Sequence, residues 1–228
     1  MHSLFDACLM NQGRSNNPTL TALLHFEGAN GSTTYTDEKG HTFTTIAADT
    51  AISTTKSKFG SASFNRTSNP TSGGIYSNSA DFAPGTGDFT VGGWVWCPTG
   101  TRGTLVVLKS DALAGGSGGD LTLMWEDHAT TYCRINSVDL VLNGLGWDSN
   151  WHHIEMTRSG TDVRLFKDGV QVGATASSSF DINDTYLQIG GGLSGYQLRT
   201  GSYIDEFYFI KGLAWHTANF TPPAAPLT

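Results

Sequence analysis

The sequence predicts an all-β protein, an antiparallel sandwich or barrel, from three observations. The 228 residues include 28 Gly and 11% aromatics, with abundant Ser and Thr. Glycine supplies the positive φ of tight turns, and Thr and aromatic side chains favour pleated surfaces. About a dozen short segments alternate apolar with polar residues at regular spacing. Beyond residue 20, no helical stripe runs longer than two turns.

The strands begin at Leu20. Ala22, Leu24 and Phe26 alternate with Leu23, His25 and Glu27 before Gly28 to Gly31 turns the chain. Residues 42–46 and 51–53 are weaker strands. Residues 58–65 alternate around Phe59 and Phe64, and 74–77 form a short strand. Residues 88–97 read as a central strand, with Phe89, Val91, Gly93 and Val95 opposing Thr90, Gly92, Trp94 and Trp96. Residues 105–108 are continuously apolar, as in a strand buried on both faces.

A glycine-rich loop at 112–119 follows, then strands at 121–125, 132–136, 138–142 and 151–158. Residues 163–173 form a hairpin whose Asp168-Gly169 pair suits a type I′ turn. Strands at 186–189 and 203–210 complete the set. In the last one, alternation puts Asp205 on the face of Phe207 and Phe209. A carboxylate facing a core needs hydrogen bonds or a ligand. The expected interior is Phe26, Phe64, Phe89, Val91, Leu165, Phe207 and Phe209.

Charge and cysteine content narrow the function. The net charge of −7 argues against a nucleic-acid surface, which needs clustered Lys and Arg. Cys8, Cys97 and Cys133 are odd in number and form no CxxC pair, so neither a disulfide scaffold nor a zinc site is expected. No signal peptide and no membrane-spanning run are expected either.

Residues 1–19 read as an N-terminal arm and 20–228 as one domain. Leu4, Phe5, Leu9 and Met10 make the arm apolar enough to dock on a partner. Residues 11–18 are a polar linker rich in turn formers.

Three patterns carry chemistry by their letters alone. Glu126 and Asp127 are adjacent, so a strand would point them to opposite faces, and Glu126 and His128 gain no second carboxylate. Residues 115–119 match a nucleophile elbow but lack the strand-to-helix context. His152 and His153 diverge as strand neighbours, which disfavours a metal role. Trp151 is expected in the core, with one histidine capping a neighbour. Trp94, Trp96, Tyr132, Tyr186, Tyr196, Tyr203 and Trp215 exceed what one core layer needs. Sugar rings stack on aromatic faces, so Tyr196, Trp215 and Tyr186 are the expected glycan contacts; the alternative is that both sheets of a thick sandwich, or a subunit interface, consume these rings.

Several segments, in order, resemble the laminin-G-like, concanavalin A-like jelly-roll family. They are Leu23-Leu24-His25-Phe26-Glu27-Gly28, Lys58-Phe59-Gly60-Ser61-Ala62-Ser63-Phe64, Gly87-Asp88-Phe89-Thr90-Val91, Trp151-His152-His153-Ile154, Phe166-Lys167-Asp168-Gly169 and Ile204-Asp205-Glu206. They span residues 20–224. The resemblance implies an antiparallel jelly-roll β-sandwich. The opening Leu-His-Phe-Glu-Gly and closing Phe220-Thr221-Pro222-Pro223 look like the version found in bacteriophage virion proteins.

That likeness implies a non-enzymatic capsid-decorating or tail module, made in the host cytoplasm and located in the virion. Its partners would be virion proteins and glycans, in a homo-oligomer with a trimer favoured. A bacterial lectin module and a glycoside hydrolase are the alternatives. Glycosidases of the fold align acidic residues at alternate strand positions, a pattern missing here. The family often ties its opening and closing strands with calcium, and Asp205, Glu27 and carbonyls near Gly60 are the matching positions. The alternative is a metal-free Asp205 that accepts backbone N–H bonds.

Overall fold

The computed structural model describes residues 18–68, 73–111, 119–126, 130–136, 138–140, 145–191 and 197–228. The arm residues Leu4, Phe5, Leu9 and Met10 lie outside these, as do Tyr196, Asp127, His128 and residues 115–118 of the glycine-rich loop. The described residues form seventeen strands. The first eight are β1 (Ala22–Leu24), β2 (Tyr35–Thr36), β3 (Thr42–Thr45), β4 (Thr50–Ser53), β5 (Ser63–Arg66), β6 (Ile75–Asn78), β7 (Phe89–Trp96) and β8 (Gly103–Lys109). The rest are β9 (Leu121–Glu126), β10 (Thr130–Ile135), β11 (Val138–Leu140), β12 (Trp151–Ser159), β13 (Asp162–Lys167), β14 (Val170–Gln171), β15 (Ala176–Ser177), β16 (Tyr186–Ile189) and β17 (Tyr203–Lys211). A 3-10 turn at Ala80–Phe82 is the one helical piece among them.

Two antiparallel sheets pack face to face. The nine-stranded sheet runs β14-β13-β12-β7-β17-β5-β4, with β1 also on β17 and β15 on β13. The eight-stranded sheet runs β11-β10-β9-β8-β16-β6-β3-β2. The expected jelly-roll sandwich is therefore present. Phe26, Phe64, Phe89, Val91, Leu165, Phe207 and Phe209 all lie in one buried cluster between the sheets. Strand β8 is buried along its whole length, as its unbroken apolar run requires.

Three details depart from the sequence reading. Asp205 does not share a face with Phe207 and Phe209. The β17–β7 register slips between Asp205 and Tyr208, where Glu206 takes φ 51. One extra residue in a strand reverses the alternation beyond it. Asp205 opposes Trp94 on the outer face, while Phe209 opposes Val91 on the inner one. Next, residues 58–61 form a turn rather than a strand, and pairing begins at Ser63. Finally, Trp151 is not a core residue. It pairs with Trp96 on the outer face, and Trp147 packs instead against Trp125 inside, with ring centroids 4.7 Å apart.

The β13–β14 hairpin turns as expected. Asp168 and Gly169 take φ 51 and 76, the left-handed pair of a type I′ turn. A Cβ on Gly169 would also sit 1.9 Å from the Phe220 carbonyl oxygen, so the C-terminal segment packs directly on this turn.

Phe64 is fully buried, with ring centroids 5.4 Å from Phe26 and 6.0 Å from Tyr35. Phe64→Ala should cost about 3–5 kcal/mol, through lost burial and a cavity. Urea unfolding of both proteins measures it, and a loss under about 1 kcal/mol contradicts this packing.

Candidate functional site

The sequence pointed to three places, and the structure gives each a different character. The first is the turn at residues 58–62, which two carboxylates bracket. Asp205 Oδ2 accepts from the Lys58 and Phe59 N–H groups at 2.7 and 3.1 Å, and Oδ1 accepts from Glu206 N–H at 2.9 Å. Asp205 is 1% exposed, and burial pushes its carboxyl up to about 7 against the opposing pull of those N–H groups. Glu27 takes the other side. Its Oε1 accepts from Ser61 N–H at 2.9 Å and its Oε2 from the Ser61 hydroxyl at 2.7 Å. Burial opposes ionisation of Glu27, but the Ser61 and Ala62 donors outweigh it and hold its carboxyl below the usual range. Gly60, at φ 59, is needed because a Cβ there would meet Glu27 Oε1 at 1.9 Å.

The second place is the outer face of the nine-stranded sheet, around Trp215. Residues 213–228 lie across this face. Thr90 Oγ1 donates to the Leu213 carbonyl at 2.9 Å, and Thr157 Oγ1 donates to the His216 carbonyl at 3.0 Å. Phe220 N–H donates to the Gly169 carbonyl at 2.9 Å. Beneath the segment runs a buried polar chain that no local motif announced. Tyr208 OH donates to Glu155 Oε2 at 2.6 Å and lies 3.1 Å from His153 Nε2. His216 Nδ1 meets Glu155 Oε1 at 2.9 Å. Burial pushes His153 down to about 3 and the Tyr208 phenol well above its ordinary value. His153 is therefore neutral, with its Nε2 proton toward Tyr208. The arrangement resembles a proton relay, but Glu155 and His153 are fully buried, so it acts as an internal tie.

His152 points away from this chain. Its two ring nitrogens hold Asp168 at 2.6 Å and Asp148 at 2.8 Å, which clamps the loop before β12 to the hairpin turn. Trp94, buried beneath the Lys58 ammonium at 3.7 Å, is likewise structural.

The third place is the outer face of the eight-stranded sheet, which carries Tyr186. Register aligns Arg134, Thr122, Val107, Gln188, Tyr76 and Thr44 in one row across five strand pairings. The middle of the row is buried, and the Thr122 hydroxyl there makes no hydrogen bond among the described residues. At the β6–β16 end the face opens. Tyr76 and Tyr186 are half-buried, with ring centroids 6.1 Å apart and planes at 33°, and Thr44 and Asn78 are exposed beside them. The sequence flagged Tyr186. Tyr76 was missed, because only the β6–β16 register brings it alongside.

A family profile described as the concanavalin A-like lectin/glucanases superfamily, laminin-G type, matches residues 69–212. The chain belongs to that superfamily. No curated protein matches it. Among solved structures, the sialidase of Trypanosoma rangeli bound to 2,3-difluorosialic acid is 13% identical, with a TM-score of 0.58 over 87% of this chain and 32% of that one. The binding domain of botulinum neurotoxin serotype D is 12% identical, with a TM-score of 0.58 over 88% of this chain and 50% of that one. The receptor-binding domain of botulinum neurotoxin type G is 12% identical, with a TM-score of 0.56, and is covered over 49% of its length. The lectin-like chain thus spans between a third and a half of these structures, and such identities show the fold alone.

The jelly roll implies calcium between its opening and closing strands. Glu27, Gly60 and Asp205 do converge on one turn, yet their donor set does not fit the ion. Calcium takes six to eight oxygens. Here the carboxylates face N–H groups and a hydroxyl, and those hydrogen bonds tie the 58–62 turn to both strands.

The raised carboxyl of Asp205 sets a pH dependence. Its folded value, about 7, lies above the ordinary 3.8, so its contribution to stability is complete below pH 4 and is lost as pH rises through 7. Asp205→Asn removes that titration. The melting-temperature drop from pH 5 to pH 8 should be smaller in the variant than in the parent. Equal drops would mean that Asp205 is ionised throughout.

Proposed function

We propose that this superfamily member is a non-enzymatic binding and structural module that contacts glycans through the open end of its eight-stranded sheet. The half-exposed Tyr76–Tyr186 ring pair, flanked by Thr44 and Asn78, carries the reading. Aromatic faces accept the C–H side of a sugar while neighbouring amide and hydroxyl groups bond its oxygens. The names of two similar structures, a binding domain and a receptor-binding domain, agree with recognition as the role. Binding at this face, on the sheet opposite the Glu27–Asp205 turn, is proposed to need no calcium.

The setting we propose is a bacteriophage virion surface, on capsid or tail. The Phe220-Thr221-Pro222-Pro223 closure and the opening Leu-His-Phe-Glu-Gly support it. In that setting residues 1–19 act as the anchor, with Leu4, Phe5, Leu9 and Met10 buried on virion proteins. Several arms in a trimer would hold better than one through effective concentration.

Two experiments test the two halves. A glycan array should bind the parent protein, unchanged by EDTA. Tyr76→Ala with Tyr186→Ala should weaken binding at least ~5-fold, about 1 kcal/mol. Uniform blanks, or full binding by the double variant, would remove the sheet face from consideration. Deleting residues 1–17 should leave the melting temperature unchanged and abolish particle binding and oligomer formation. A truncated protein that still assembles would reduce the arm to a tail.

A further inference from the structure

The Phe220-Thr221-Pro222-Pro223 motif does more than close the fold. Its Thr221 and Pro223, with residues 215–216 and 224–227, wall a cleft of about 360 Å³ on the outer side of the nine-stranded sheet. That volume lies in the range of small-ligand sites. Trp215 and His216 supply aromatic wall, Thr221 a hydroxyl, and Pro223, Ala224 and Leu227 apolar surface. The aromatic side is built in layers. Phe220 stacks on His216 with centroids 3.6 Å apart and planes at 7°, and His216 stacks on Trp215 at 4.7 Å and 27°. Tyr208 holds Trp215 edge-on at 5.6 Å from beneath. The wall is therefore fixed before any ligand arrives.

Its polar group is also fixed. The Glu155 carboxylate holds His216 Nδ1 at 2.9 Å, which fixes the ring and leaves Nε2 as its other polar atom. Nε2 makes no hydrogen bond among the described residues, and the side chain keeps 20% of its surface exposed. The lining holds no Lys or Arg, and carboxylates of Glu155 and Glu206 underlie the segment. An anion is therefore disfavoured. The cleft is amphiphilic: Trp215, Pro223, Ala224 and Leu227 give it apolar surface, and the His216 ring nitrogen and the Thr221 hydroxyl give it polar groups. A pyranose ring combines an apolar C–H face with a hydroxyl rim in the same way.

We infer that the Trp215 cleft is a second saccharide site, shaped for a single neutral hexose residue such as a glycan terminus. It sits on the opposite sheet from Tyr76 and Tyr186. With the proposed function it shares only the premise that the ligand is a sugar, so the two sites can fail separately. One domain would then grip a glycan surface at two faces, and several copies would gain in avidity.

The test is an NMR titration of the full chain with methyl hexopyranosides of gluco, galacto and manno configuration. At least one should shift the Trp215 indole N–H and the His216 ring resonances. Ala224→Trp fills the cleft from an exposed position, so it should abolish those shifts and leave the melting temperature unchanged. Trp215→Leu should weaken binding several-fold, read from the His216 ring resonances. The Tyr76, Tyr186 double variant should leave them intact, even if it empties a glycan array. The inference is overturned if no hexoside moves either resonance, if Ala224→Trp binds normally, or if the double tyrosine variant removes the Trp215 shifts.

Discussion

The fold turns on one residue out of step. Glu206 in β17 adopts φ 51, a left-handed conformation that costs a non-glycine residue about 1–3 kcal/mol. In return the strand changes parity at its centre. Ile204, Phe207 and Phe209 all reach the core, while Asp205 and Tyr208 both reach the outer layer. A regular strand would send one of these sets the wrong way. The Glu206 side chain helps hold the distortion. Its Oε1 meets His25 Nδ1 at 2.5 Å, and its Oε2 accepts from Leu227 N–H at 2.9 Å. That carboxylate raises the His25 imidazole above its ordinary value and joins the opening strand, the closing strand and the C-terminal segment.

The bulge also explains why the outer layer of the nine-stranded sheet is polar yet buried. It places Asp205 under the 58–61 turn and Tyr208 under residues 213–228. Each buried acid is satisfied locally: Asp205 by backbone N–H groups, Glu155 by Tyr208 and His216. Buried ionisable groups without such partners would be costly. The chain thus supplies its own roof on one sheet and leaves the β6–β16 end of the other open.

Much of the fold was legible in the sequence because it depends on local pattern. Phe89 and Val91 in β7, and Leu165 in β13, follow simple alternation, and Asp168-Gly169 marks its turn by chemistry alone. What was illegible depends on distant partners. Nothing near Glu206 signals a left-handed residue, since its anchors are His25 and Leu227. Trp147 and Trp151 look equally suited to a core, and only the β12–β7 register decides between them. His216 and Glu155 lie 61 residues apart, beyond any periodicity. Tyr186 and Trp215 could be picked out as surplus aromatics, but the ring beside Tyr186 and the cleft beside Trp215 come from pairing and packing.

Strand β1 lies on β17, and Lys211 N–H donates to Thr21 Oγ1 across 190 residues of chain. The core-facing Ala22 and Leu24 find their neighbours only when β17 arrives. Pairings this distant in sequence pay their loop-closure entropy before any contact rewards it, which slows folding. On a ribosome, the early strands β2 to β6 must wait with open edges and exposed aromatics. Such a chain is prone to pair with its siblings while it waits. The long-range pairing of β1 with β17 thus lengthens the time for which the unfinished chain is open to self-association.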